Sequence, residues 1–301
     1  MKIIGAGLAG LLAANMLRYR NPTIIEQQSD LPNNHSAVLR FRSHIVGDVL
    51  NIPFKKVTLV KSYLPWKNPV ADALAYSFKN SGTYRSDRSI IAGTVVADRW
   101  IAPPDLIAKM AERASIKLGQ RLEQFGEGTD EPWISTMPMP ALMKLLEYPK
   151  RNLVNFGYAS GVNIKARIVG CDAYASILVP DPAFPFARIS VTRDELAIEI
   201  PFGPLDGAYG SIIASVAELL GIAQERFVDI KVHNSRYAKI VPIDEMERTA
   251  FQHWATDNFN IFSLGRFATW RPGLLLDDLV NDVRKIDRWI TQGKYAIAKE
   301  R

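Results

Sequence analysis

Cysteine is nearly absent. The single Cys171 excludes an internal disulfide framework and every metal site built from several thiolates. Histidine is almost as scarce: His35, His44, His233 and His253 show no HxxxH spacing, so a structural zinc site is not expected. No apolar run approaches the roughly 18 residues that crossing a bilayer takes, so no membrane span is expected. With so little cysteine, a reducing cytoplasm is the expected location. Internal repeats and low-complexity segments are missing too. Acidic residues are the minority, 31 against 37 basic ones, a net charge of +6. Most of the excess lies in residues 35–70, where Arg40, Arg42, Lys55, Lys56, Lys61 and Lys67 face Asp48 alone. A basic face attracts polyanions or phosphorylated ligands; a solvated rim, or cations pairing with a cofactor's phosphates, reads the same way. What is plentiful is apolar: 48 % of 301 residues, against 23 % charged, the balance of a soluble globular chain with one large domain or two intimate ones.

The first thirty residues carry the strongest motif. Lys2-Ile3-Ile4 reads as a short strand, followed at once by Gly5-Ala6-Gly7-Leu8-Ala9-Gly10. Leu11 to Leu17 reads as a helix, Asn21-Pro22 as a break, and Thr23-Ile24-Ile25 as a second strand ending at Glu26. This is GxGxxG between strand and helix with an acid about 20 residues on. Gly5 permits the tight turn, Gly7 lets the backbone approach a pyrophosphate, and Gly10 lets the helix lie close to the strand. The helix N-terminus offers free N–H groups to the anion. Glu26 suits the hydroxyls of an adenosine ribose and disfavours a 2′-phosphate, which speaks against NADP. A secretory leader is the competing reading of the apolar segment 3–17. Three glycines in six residues are poor for one, and it leaves the second strand and the acid unexplained. The motif identifies a dinucleotide fold without choosing FAD over NAD.

The middle of the chain changes character. Asn163–Val169, Ala173–Val179, Ala187–Thr192 and Leu196–Ile200 read as successive strands, indicating an antiparallel sheet. Ser211–Leu220 reads as a helix ending at Gly221, and Phe227–His233 as a further strand. Near the C-terminus, Leu279, Val283, Ile286 and Ile290 mark one face of a long amphipathic helix.

Two further segments bear on the cofactor: Trp133-Ile134-Ser135-Thr136-Met137-Pro138, a strand running into Thr-x-Pro, and Gly265-Arg266-x-x-Thr269-Trp270-Arg271 before the acid-rich start of the last helix. In this order, with the N-terminal fingerprint, they resemble the FAD-dependent amine oxidase and protoporphyrinogen oxidase superfamily. Within it, the Gly-Arg segment is similar to that of UDP-galactopyranose mutase. Val179-Pro180 with Phe186-Ala187-Arg188-Ile189 resembles the mutase segment whose arginine faces the active site. The chain departs from the family where an Arg and a Gly-Gly pair usually follow the acid: Arg40-Phe41-Arg42-Ser43-His44 stands in their place.

The resemblance implies an α/β protein, an FAD-binding Rossmann-like fold with a smaller antiparallel-sheet substrate layer. Residues 1–60, 91–150 and 238–301 would form the FAD-binding domain, and 61–90 and 151–237 the substrate layer. Gly5, Ala6, Gly7, Leu8, Ala9, Gly10, Glu26 and Gln27 would hold the ADP half of FAD. Arg40, Arg42, Thr136, Pro138, Gly265 and Arg266 would line the rest of it, and the helix starting at Leu276 and Asp277 would point its N-terminus at the flavin O2. That helix end favours negative charge on the reduced ring. Arg188 is the candidate for a substrate anion, His44 for a group near the flavin, and Lys239 for holding a water near N5. Each also has a plain structural reading: a surface arginine, a structural histidine, a lysine between strand residues. The implied activity is oxidation of an amine-bearing substrate, or a flavin-dependent lyase reaction that cleaves a C–N bond through such oxidation. Compact flavoproteins of this type are expected among viral enzymes that trim amino-acid adducts on modified thymine in DNA. The basic 35–70 stretch would then meet nucleic acid, and DNA binding is expected to weaken steeply as salt rises; salt-insensitive or absent binding in a filter or mobility assay removes that partner. The alternatives are a mutase-like redox-neutral transferase or isomerase, a non-catalytic FAD-binding protein, and an NAD enzyme. The sequence leaves the oligomeric state open.

Overall fold

A computed structural model describes residues 1–31, 39–82, 84, 93–125, 131–202 and 209–292. His35 and the parts of the expected domains that fall between these ranges lie outside the described residues. In chain order the elements are β1 (Lys2–Ile4), α1 (Leu8–Met16), β2 (Thr23–Ile25), β3 (Arg40–Phe41), α2 (Ile45–Leu50), β4 (Lys55–Tyr63), α3 (Pro69–Ser81), β5 (Val95–Ile101), α4 (Leu106–Glu112), β6 (Ser115–Lys117), β7 (Trp133–Ser135), α5 (Met139–Leu145), β8 (Tyr158–Ile168), β9 (Ala173–Leu178), β10 (Arg188–Arg193), β11 (Glu195–Pro201), α6 (Tyr209–Leu220), β12 (Phe227–Ile240), α7 (Glu245–Phe259), β13 (Ile261–Ser263) and α8 (Leu276–Gln292).

The strands form two sheets. Five short ones pair in parallel in the order β13-β7-β1-β2-β6. β1 is central, and the chain leaves it first toward β2 and later toward β7. This reversal is where an open α/β sheet leaves a crevice at its carboxyl ends. Eight strands form the second sheet, in the order β12-β8-β11-β10-β9-β4-β5-β3. Its pairings are antiparallel except β4 with β9.

The α/β class is as the sequence implies, but the second layer is not the smaller one. It gains β3, β4 and β5: β4 pairs with β9, β5 with β4, and β3 with β5. In the parallel sheet, α1, α2, α4 and α8 cover one side, with Ile3, Leu11, Leu12, Ile24, Val280 and Val283 in their core. α5 and α7 cover the other, with Met139, Leu142, Phe251 and Trp270. Each such side chain is worth about 1.5–3 kcal/mol when fully buried.

On one face of the larger sheet lies α6, whose Ile212, Ile213 and Val216 pack on Ile164, Ile189 and Ile198. Side chains alternate along a strand. The opposite, inner face therefore carries Arg188 and Ser190 of β10, Glu199 of β11, Ser176 of β9, Lys61 of β4 and Arg99 of β5. This sheet is strongly curled. Arg40 on edge strand β3 donates to the Ala175 carbonyl at 3.1 Å and to Ser190 Oγ at 2.9 Å. Four strand spacings would separate β3 from β10 by about 19 Å if the sheet were flat, far beyond an arginine's reach.

Candidate functional site

The turn between β1 and α1 is shaped by its glycines. Gly5 has φ +94°, in the left-handed region, and a Cβ on it would collide with Thr136 Oγ1. A Cβ on Gly10 would strike the Gly5 carbonyl oxygen. A Cβ on Gly7 would meet nothing within 4 Å. Two glycines are therefore demanded by the protein itself, and the third borders open space at the start of α1. The Ala6 N–H, one residue before that space, donates to Glu26 Oε2 at 2.7 Å, and the Gln28 N–H donates to Oε1 at 2.9 Å. Glu26 thus folds back over the turn, with Gln27 exposed beside it. At the end of β7, Thr136 donates its hydroxyl to the Ile4 carbonyl at 2.8 Å, locking β7 against β1. Pro138 is the N-cap residue of α5, and the Met139 N–H donates to the Phe267 carbonyl at 2.9 Å. These residues fit a dinucleotide: free space over Gly7 for a diphosphate, an acid for a ribose.

That last bond brings in the 264–277 loop. Gly265 has φ +99° and lies against Ala9. Its carbonyl accepts the Thr269 N–H at 2.9 Å and the Thr269 hydroxyl at 2.8 Å, which tightens the loop into a turn. Trp270 is a core residue: it is 1 % exposed and donates its indole N–H to the Val241 carbonyl at 2.8 Å. α8 then begins at Leu276. The Asp277 carboxylate accepts the Ser43 N–H at 2.9 Å, the Ser43 hydroxyl at 2.8 Å and the Arg42 N–H at 3.2 Å. Asp277 and Arg42 thus join the edge of the large sheet to the start of α8, the Arg42 side chain remaining exposed.

Facing this loop across the inner sheet face is a charge cluster. Arg188 donates to Glu199 through Nε at 2.9 Å and also through a second nitrogen. Lys239 reaches the other Glu199 oxygen at 3.4 Å, and the Arg266 charge bears on Lys239. Burial works against the Glu199 charge, but Arg188 and Lys239 more than offset it and hold the carboxyl below its ordinary range. Burial likewise opposes the Arg188 charge; Glu199 and Tyr76 outweigh it and hold the guanidinium above its usual value. Lys239 goes the other way: burial, with Arg188 and Arg266, lowers it despite Glu199. The Arg188 side chain keeps 36 % of its accessible surface although protein surrounds it, which places it at the floor of a cleft.

Lys239 owes its position to an irregularity. β12 pairs Ser235 with Gly161 and next Lys239 with Ala159, so two extra residues bulge out of the ladder. A bulge re-aims a side chain, and here it sets Lys239 beside Glu199. The bulge residue Tyr237 packs near Phe267 and Trp270 of the 264–277 loop.

The structure therefore gathers Arg188 and Lys239 beside Arg266, and Gly5, Gly7, Gly10, Glu26 and Thr136 at the turn. It does not bring His44 to the cleft. His44 is exposed, pairs with Asp48 and lies against Trp100, on the outer face of the sheet. Arg40 is anchored on the inner sheet face by Ala175 and Ser190. Glu199, the hub of the cluster, had no place among the sequence candidates. The signal for it was the β10–β11 hairpin: counting outward from the turn at Arg193-Asp194 sets Arg188 opposite Glu199. Among the described residues no group of His, Cys, Asp and Glu is placed to hold a metal, and no helix is long and apolar enough to cross a membrane.

The fold and the site together define a dinucleotide-fold α/β protein with a curled sheet over the crevice. Neither a protein-family model nor a curated protein sequence matches the chain. Solved structures share its fold. A reduced UDP-galactopyranose mutase superposes with a TM-score of 0.69 at 13 % identity, over 97 % of this chain and 94 % of that one. A fatty acid isomerase from P. acnes that produces CLA gives 0.60 at 13 %, over 95 % and 97 %. An oxidoreductase from Methanosarcina mazei gives 0.59 at 12 %, over 96 % and 100 %. At these identities the likeness is one of fold.

Proposed function

We propose that the chain is an FAD-dependent oxidoreductase that oxidises an amine and thereby cleaves a C–N bond. The supporting observation is the cluster of Arg188, Glu199 and Lys239 on the inner sheet face, close to Arg266 and hence to the loop on which a flavin would lie. Gly5 to Gly10 and Glu26 would hold the ADP half, with Thr136, Pro138, Gly265, Arg266 and Leu276 along the rest. When bound, FAD supplies a hydride acceptor for the carbon bearing the nitrogen, and hydrolysis of the resulting imine cuts the bond. The chain's own task is to desolvate and orient the amine and to take its proton. Once deprotonated, Lys239 Nζ, whose charge is disfavoured by burial and by two arginines, accepts that proton from the substrate ammonium. Arg188 holds an anionic group of the substrate with a forked pair of donors. Glu199 is a positioning residue that aligns both. A substrate with an amine and a carboxylate fits this pair, as an amino-acid adduct of a modified thymine does.

The purified protein is expected to show bands near roughly 375 and 450 nm, released by heat as FAD. An N-substituted amino acid such as N-benzylglycine is expected to bleach them anaerobically. The bleaching rate should rise with pH through the depressed Lys239 value, and Lys239→Met should flatten that profile. A colourless protein that takes up no added FAD sinks the reading. Turnover that appears only after prior reduction would replace it with the redox-neutral, mutase-like chemistry.

A further inference from the structure

We propose that the inner face of the eight-stranded sheet carries a phosphate-binding subsite formed by Arg40, Lys61, Ser176 and Ser190, which takes the phosphate group of a phosphorylated substrate. This rests on the reading above, in which that face is the substrate side of the cleft. Strand register sets the row. Lys61 of β4 lies opposite Ser176 of β9, and Ser176 lies opposite Ser190 of β10. Adjacent strands are about 4.8 Å apart, so one ammonium and two hydroxyls follow each other at tetrahedral-anion spacing. Arg40 crosses from the far edge of the curled sheet onto the same row. It donates to Ser190 Oγ at 2.9 Å and to the Ala175 carbonyl at 3.1 Å, two bonds from a group with five N–H donors. Ser176 and Ser190 are 7 % and 2 % exposed, so the floor of the row is buried polar surface.

The charges here are not balanced by protein. Among the described residues, Arg40, Arg42, Lys61 and Arg99 form no ion pair with a carboxylate. Glu199, whose charge bears on Arg40, is already shared by Arg188 and Lys239, and Asp277, the acid whose charge bears on Arg99, is occupied by the Arg42 and Ser43 backbone and the Ser43 hydroxyl. Burial and mutual repulsion lower all of Arg40, Lys61 and Arg99, Arg40 to about 10. Two other sets of cations are matched by acids. In the cavity of about 530 Å³ along the Trp270–Leu274 loop, Arg248 pairs with Glu245 and Arg271 with Asp282. Arg188, two residues from Ser190 on the same face, is matched by Glu199. An unmatched group of cations facing two buried hydroxyls is suited to an anion of more than one charge and several oxygens. A single carboxylate neutralises too little and reaches too few donors; a phosphate monoester meets both requirements.

O-phosphoethanolamine and ethanolamine, titrated by calorimetry into flavin-free and FAD-saturated protein, test this. The phosphorylated amine is expected to bind both forms and the plain amine at least about tenfold more weakly. Lys61→Ala should weaken O-phosphoethanolamine about tenfold or more, with Lys61→Arg restoring part of it. Lys56→Ala should leave it unchanged, because Lys56 lies on the outer face paired with Asp98. Circular dichroism of each variant separates lost binding from lost fold. No binding to wild-type protein, or binding indifferent to Lys61→Ala, overturns the subsite. So does binding that vanishes on FAD saturation, since the row would then belong to the cofactor's own diphosphate. A protein that never takes up FAD yet binds O-phosphoethanolamine through Lys61 keeps the subsite and removes the flavin reading.

Discussion

Gly10→Ala is expected to destabilise the protein by about 3 kcal/mol or more, whereas Gly7→Ala should leave the fold intact and weaken dinucleotide binding about tenfold or more. The two glycines are three residues apart and differ in what surrounds them. Gly10 sits in the first turn of α1, and its added Cβ would meet the carbonyl oxygen of Gly5, with Ile3 Cγ2 behind it at 3.5 Å. The obstacle is backbone, so relief requires sliding α1 off β1. Both contribute to one core, where Ile3 and Leu11 are fully buried. Overpacking costs about 1–3 kcal/mol when side chains can yield; here they cannot, so the upper end or beyond is expected. At Gly7 the same methyl enters open space, and its φ of −69° is one that alanine adopts freely. The methyl would occupy the approach of a diphosphate to the start of α1. Thermal denaturation and flavin content measured on both variants decide the matter. Gly7→Ala should melt with the wild type and lose about tenfold or more in FAD affinity. If it keeps full flavin occupancy, the diphosphate does not lie over this turn.

The second large effect concerns Glu199. Glu199→Gln leaves Arg188 and Lys239 facing each other with no acid between them. Breaking a buried ion pair from one side costs about 3–5 kcal/mol. The Glu199 side chain is 25 % exposed, so the lower figure applies, a fall in melting temperature of roughly 5 °C for a chain of 301 residues. Replacing Arg188 as well, with Glu199→Leu and Arg188→Met together, should restore part of that loss, since only the Lys239 ammonium, whose charge burial already disfavours, is left without its acid. Equal losses in the single and double variants would show that the pair is not coupled. The wild type carries its own control. The folded state holds Glu199 below its ordinary value of about 4.3, so its contribution is complete above that pH and is lost as pH falls through the depressed value. The gap between wild type and Glu199→Gln should therefore close in acid.

Much of this was legible in the sequence, and what was not has physical causes. The β1–α1 turn is local, and three glycines with fixed duties announce it. The strands between 158 and 201 follow simple alternation. Glu199 was overlooked because a glutamate in an alternating strand reads as the solvent side; only the curl of the sheet turns that side inward. The extension of β12 to Ile240 was missed because its bulge breaks the two-residue period between Ser235 and Lys239. Arg40 and Arg42 alternate about Phe41, and that pattern cannot show that one reaches past three strands to β10 while the other turns out beside α8. His44 looked close to the site by its place in the chain. The two-residue strand β3 puts it past the edge of the sheet, on the wrong face.

The large sheet's two edges have a further consequence. An open sheet presents unpaired backbone to other chains, and closing it into a barrel would remove the hazard but seal the inner face. β3 offers almost no template, being two residues long before Ser43 is pulled under α8 by Asp277. β12 is long, but it is bulged twice and carries exposed Lys231 and Arg236. Shortness guards one border and broken register with positive charge guards the other. The sheet can thus stay unclosed without inviting strand addition, and its inner face keeps an open approach.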